Sequence, residues 1–168
     1  MGTGAKTPAP HNIPLGYGWN VRDLLGEAGI ATVQHSGGWL LGGQAANTAK
    51  GVACIDHWLG GFYWDVVHVN FGLHDIDESE YVPVEQYIRN LATIHSKIQP
   101  ALTRTGAFIW ASSTPVPYPS EYRLRNNSAV IRYNAAAAQL WKTLPEGSVV
   151  VNDLYALIIK RCGESSLL

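Results

Sequence analysis

Four short runs rich in β-branched and aromatic residues recur along this chain, each separated from the next by a stretch of helical periodicity. That alternation constrains the fold more than any other feature of the sequence. The runs are IATVQ at 30–34, WDVVHVNF at 64–71, AFIWA at 107–111 and a final one at 148–151. Helical spacing predicts helices near 19–28, 48–59, 83–99, 129–144 and 154–161. In the second, Val52, Ile55, Trp58 and Leu59 make an apolar stripe that Gly60 and Gly61 close. In the third, Pro83 suits the first turn, with Tyr87, Leu91, Ile94 and Ile98 inward. The central valines of WDVVHVNF suggest a buried strand. Strands joined by helices of this length require crossover connections and a parallel sheet covered on both faces. The expected fold is therefore an α/β, three-layer α/β/α sandwich with a mainly parallel sheet.

Length fits that reading. The 168 residues suffice for one domain, expected over 18–168 after a Gly- and Pro-rich tail or loop at 1–17. Hydrophobic residues make up 46% and charged residues 15%, enough apolar material for a core. Twelve basic and thirteen acidic residues give a formal net charge of −1 without a Lys/Arg cluster, which argues against a nucleic-acid partner. No apolar run approaches the roughly 20 residues of a membrane span. Residues 1–10 lack the apolar stretch of a secretory signal. Cys54 and Cys162 make neither a zinc motif nor a disulfide framework, and no cofactor is expected.

In parallel α/β folds ligands bind at the carboxyl ends of the strands, so the residues after each run carry the functional reading. These are His35 to Trp39, Gly72 to Asp75, Ser112 to Pro117 and Asn152 to Tyr155. The second group is the most informative. A glycine directly after a strand permits close approach of backbone to a ligand, and His74 can offer a ring N–H to developing negative charge. Asp75 can hold the loop by accepting backbone N–H bonds; as plain structure, the same residues make a turn with an N-capping Asp. Ser36, Ser112 and Ser113 have no Gly-x-Ser-x-Gly context and read as loop polarity. His57 and His95 read as surface or boundary residues, His68 as a core histidine, and Trp39, Trp64 and Trp110 as core. Asn126-Asn127-Ser128 is a glycosylation sequon, which has meaning in a secreted chain.

Phe71-Gly72-Leu73-His74-Asp75 after WDVVHVN resembles the third conserved block of the SGNH (GDSL-type) hydrolases, where Gly-x-Asn-Asp is usual. NTAKGVACIDHWLG resembles the helix of that family's second block and IWASSTPVP the segment ending its fourth strand. YNAAAAQLW followed by VVVNDLYALI matches in kind and order, so the resemblance spans roughly Ile13 to Cys162. It implies an ester hydrolase on a three-layer α/β/α fold, with a Ser nucleophile, a His base, an Asp shortly before that His, and an oxyanion hole. On this resemblance Gly72 and His74 belong to the oxyanion hole and Asp75 supports the loop. Gly37, Gly38, Gly42 and Gly43 are the candidates for the second-block glycine on the substrate side.

The nucleophile departs from the pattern. Aligning Gly16-Tyr17 with the family's first block places Pro10-His11-Asn12 over Gly-Asp-Ser, and an Asn amide is no acyl-accepting nucleophile. Within these 168 residues no His follows His95, and residue three beyond Asp153 is Ala156. The first strand of the family has no counterpart, which predicts a gap beside 64–71 or direct pairing with 30–34. Three functions follow as expectations. One is a hydrolase of esters such as acylated carbohydrates, represented here by an incomplete and catalytically impaired sequence. The second is a degenerate member that binds a ligand without turning it over. The third is an interaction protein on the same scaffold.

Overall fold

The computed structural model describes residues 24–29, 47–117 and 125–163. They form a mixed α/β unit around a three-stranded parallel sheet. The elements run α1 (Thr48–Leu59), β1 (Trp64–Asn70), α2 (Val84–Ile98), β2 (Leu102–Ala111), α3 (Asn127–Lys142), β3 (Val150–Asn152) and α4 (Leu154–Cys162). A 3-10 turn, Gln99–Ala101, leads into β2, and residues 24–27 make a helical turn inside the span predicted at 19–28. The strand order is β1-β2-β3, each pair parallel with a helix in the connection. The strand predicted at 30–34 lies outside the described residues, as do Trp39 and the tail. Among the described residues no helix is long and apolar enough to cross a membrane.

Local chemistry accounts for the helix limits. The Asn47 side chain accepts the N–H of Lys50 at the start of α1, and Gly60, with φ at 62°, ends it in the left-handed conformation. The Asn126 side chain accepts the N–H of Ala129 to cap α3, so the sequon asparagine serves as a helix cap. Asp153 caps α4 through the N–H of Ala156.

One face of the sheet carries the core. Val67 and Val69 of β1 pair in register with Phe108 and Trp110 of β2, Phe71 follows directly after β1, and α1, α2 and α3 close over them. Tyr87, Leu91, Ile94 and Ile98 all point inward from α2, as their spacing predicts. Trp110 stands 6.0 Å from Trp141 and Tyr87 5.0 Å from Tyr133, ring centre to ring centre. The alternation of a strand sends its neighbours the other way, and Val66 on that opposite face is half exposed. The burial predicted for the central valines of β1 therefore holds fully for Val69 only.

Five further expectations are corrected. β2 begins at Leu102, five residues before the predicted 107, and β3 covers Val150–Asn152 rather than 148–151. In β2 the extra residues form an irregularity: Trp64 pairs with Leu102 but Val66 with Ala107. Gly106 makes it possible, since a Cβ there would sit 2.8 Å from the Trp64 carbonyl oxygen and 2.9 Å from the Thr103 nitrogen. His95 is no surface residue. It is buried edge-on against Phe108 at 5.2 Å and accepts a bond from the Gln99 side-chain amide at 3.0 Å. Burial lowers its pKa. His68 is no core residue either; it is exposed on the opposite face, 3.4 Å from the Asn152 amide. Both histidines obey the strand or helix phase rather than their own polarity. Trp110 is core as expected, whereas Trp64 is half-buried and donates its indole N–H to the Leu59 carbonyl.

Candidate functional site

The carboxyl ends of β1 and β2 are stitched together by side chains. Asn70, the last residue of β1, donates its amide to the carbonyls of Ala111 and Ser112 at 3.0 and 3.1 Å. The carbonyl of Phe71 then accepts two buried hydroxyls, Tyr87 at 3.2 Å and Ser113 at 3.1 Å. Gly72 follows with φ at 139°, a conformation that L side chains rarely adopt. The Ser113 hydroxyl lies where a Cβ on Gly72 would stand. Close approach and backbone geometry thus both require glycine, and the group that approaches is the Ser113 side chain.

From Gly72 the chain folds into a compact loop over 72–82. Ile76 N–H bonds back to the Gly72 carbonyl at 3.1 Å, Asp77 N–H to His74 at 3.1 Å and Val82 N–H to Asp75 at 2.9 Å. Asp75 anchors it. Its carboxylate is fully buried and accepts both the backbone N–H of Thr48, at 2.9 Å, and the Thr48 hydroxyl. Asn90 donates to that same hydroxyl at 3.0 Å and accepts from Gln86 at 2.7 Å, so α2 reaches the loop through a chain of polar side chains. Burial raises the Asp75 pKa, and the two Thr48 bonds oppose the rise. Asp75 thus ties the loop to the first turn of α1.

His74 sits at the rim, its side chain about one third exposed (36%). Its Nδ1 lies 3.2 Å from a Glu80 carboxylate oxygen and 3.4 Å from Nη2 of Arg125. Arg125 also donates from Nε to the Leu73 carbonyl at 3.0 Å and pairs with Asp77 at 3.0 Å. Asp77 accepts the backbone N–H and hydroxyl of Ser79 at 2.9 and 2.5 Å, and these bonds, with the Arg125 charge, hold its carboxyl below the usual range. The structure thus places Gly72, His74 and Asp75 together at the carboxyl edge of the sheet. Asn12, Gly37, Gly38, Gly42, Gly43 and Ser36 lie outside the described residues.

The two strand-end serines are structural. Ser113 gives its hydroxyl to Phe71, while its backbone N–H and C=O pair with the side-chain amide of Asn134 at 2.9 Å each. Ser112 donates its hydroxyl to Asp153 at 2.9 Å and accepts the N–H of Tyr155 at 2.9 Å, which ties β2 to the start of α4. Among the described residues neither oxygen is paired with a histidine, and both side chains are buried. Replacing Ser112 with alanine leaves the Tyr155 N–H without that acceptor and is expected to lower stability by about 1–2 kcal/mol. Urea unfolding of Ser112→Ala measures this; an unchanged midpoint would show that the bond contributes nothing.

Sequence reasoning missed Thr48, Asp77, Glu80, Asn90, Arg125 and Asn134. Two of them had a signal. Asn90 and Asn134 sit on apolar stripes, next to Leu91 on α2 and Tyr133 on α3, where a polar side chain needs a buried partner. Arg125 and Glu80 come from loops and have no periodicity to mark them. Among the described residues no group of three or more His, Cys, Asp or Glu side chains is arranged to hold a metal ion. Set against known proteins, the chain matches no family model and no curated protein.

Proposed function

We propose that this chain carries an SGNH-type three-layer scaffold and the oxyanion-binding turn of an ester hydrolase, with small esters or acylated carbohydrates as the substrate class. The observation that supports the reading is the turn after β1. A glycine-only backbone at Gly72, a rim imidazole at His74 and a buried anchoring carboxylate at Asp75 follow one another at the carboxyl end of a parallel sheet. A neutral imidazole there can donate one hydrogen bond to the oxyanion of a tetrahedral intermediate. The remaining oxyanion donors fall to one of Gly37, Gly38, Gly42 or Gly43.

The covalent step is impaired in these 168 residues. Asn12 stands at the nucleophile position of the resemblance, and the hydroxyls of Ser112 and Ser113 are engaged in structural bonds. That engagement favours a second reading, a non-catalytic protein that binds an acylated ligand at the same turn. One experiment tests both. The purified chain is given p-nitrophenyl acetate and, separately, a fluorophosphonate probe. The expected result is slow hydrolysis without a burst, and no labelled serine. His74→Ala is expected to reduce that hydrolysis by at least about tenfold, since a single oxyanion donor typically contributes 10²–10³. Turnover indifferent to His74→Ala removes the oxyanion assignment. A labelled serine removes the claim of an impaired nucleophile.

A further inference from the structure

We infer that Arg125 fixes the tautomer of His74, so that the ring carries its proton on Nε2 and presents an N–H at the sheet edge. The use of that N–H for an oxyanion rests on the function proposed above, whereas the tautomer rests on the geometry around Nδ1. Arg125 is a positioning residue in this scheme, acting through His74.

Among the described residues two groups compete for Nδ1. Nη2 of Arg125 lies 3.4 Å away with the geometry of a hydrogen bond, and a guanidinium can only donate. Glu80 Oε2 lies 3.2 Å away and favours a proton on Nδ1, yet it makes no hydrogen bond to the ring and is buried. A proton on Nδ1 would set two N–H groups against each other beside a permanent cation. A lone pair on Nδ1 accepts from Arg125 and leaves the proton on Nε2.

Arg125 is held firmly enough to impose this choice. Its Nε donates to the carbonyl of Leu73, the residue preceding His74, and its Nη2 pairs with Asp77, the third residue beyond it. The guanidinium therefore grips the loop on both sides of the ring it orients. Asp77 is in turn fixed by Ser79, which keeps the carboxylate ionised and pointed at Arg125. Glu80 is held by its backbone, through the amide of Asn47 at 2.8 Å, rather than by its carboxylate.

The test is the ¹⁵N spectrum of the histidine side chains, with the His74 signals identified by their loss in His74→Gln. The expected wild-type pattern is a protonated Nε2 and an unprotonated Nδ1. In Arg125→Met the donor is gone, and the proton is expected to move to Nδ1, facing Glu80. Glu80→Gln removes the group that favours a proton on Nδ1 and is expected to leave the wild-type pattern in place, and the wild-type pattern itself keeps the inference falsifiable where Arg125→Met does not fold. A wild-type proton on Nδ1 overturns the inference, and so does a change of tautomer in Glu80→Gln or a folded Arg125→Met with the wild-type pattern. Methylphosphonate then probes the use of the ring, and a shift of the Nε2 signal is expected. A protonated Nε2 that ignores methylphosphonate upholds the tautomer and removes the oxyanion reading, so the two failures are told apart.

Discussion

Replacing Gly72 with alanine is expected to destabilise the fold by about 2–6 kcal/mol. The residue has φ at 139°, and holding an alanine there costs about 1–3 kcal/mol. Its Cβ would also occupy the place of the Ser113 hydroxyl, adding about 1–3 kcal/mol of overpacking. The double variant Gly72→Ala, Ser113→Gly separates the two contributions, because it removes the collision and retains the strained backbone. It is expected to recover part of the loss and not all of it, since the Ser113 bond to Phe71 goes too. Urea unfolding of the wild type and both variants measures this. An alanine chain as stable as wild type would mean that β1 does not end in the turn described.

Asp75 is expected to show the second large effect. Truncation to alanine leaves the Thr48 N–H and hydroxyl, both buried, without their acceptor at the first turn of α1. The expected loss is about 2–4 kcal/mol. The pH dependence carries a further sign. Burial raises the folded-state pKa of Asp75, so the native state binds its proton more tightly than the unfolded chain does. Below the unfolded value, about 4, the group is protonated in both states and its contribution is complete. As pH rises through the folded pKa that contribution is lost. Asp75→Asn does not titrate, so the stability of wild type minus that of Asp75→Asn is expected to fall from about pH 4 upward. A difference that rises with pH would show that the Thr48 bonds outweigh desolvation.

These two positions also mark how much of the site was legible. Gly72 and Asp75 were readable because each meets a local demand. A glycine straight after an apolar strand signals a close approach to the backbone, and a short acidic side chain in a turn signals a cap. Their actual partners were not readable. Asp75 caps α1, 27 residues upstream, rather than a helix of its own, and the atom that excludes a Cβ from Gly72 belongs to Ser113, 41 residues on. Arg125 met no local demand at all. It reaches His74, Leu73 and Asp77 across about 50 residues because β1 and the loop before α3 end at the same edge of the sheet.

What the sequence by itself determined is the succession of the described elements and the inward faces of α1 and α2. α1, α2, α3 and α4 fall within one or two residues of their predicted limits, since helical periodicity and caps are local signals. The parallel arrangement of β1, β2 and β3 follows from the length of the connections. The tertiary structure alone decided where polar residues go. His95 is buried because α2 turns that position toward Phe108, and His68 is exposed because strand alternation turns it away from the helices. Ser112 and Ser113 became structural hydroxyls through Asp153, Tyr155 and Phe71, none of them near in sequence. Periodicity reports which way a side chain points, and only the packing of distant segments supplies the donor or acceptor it meets there.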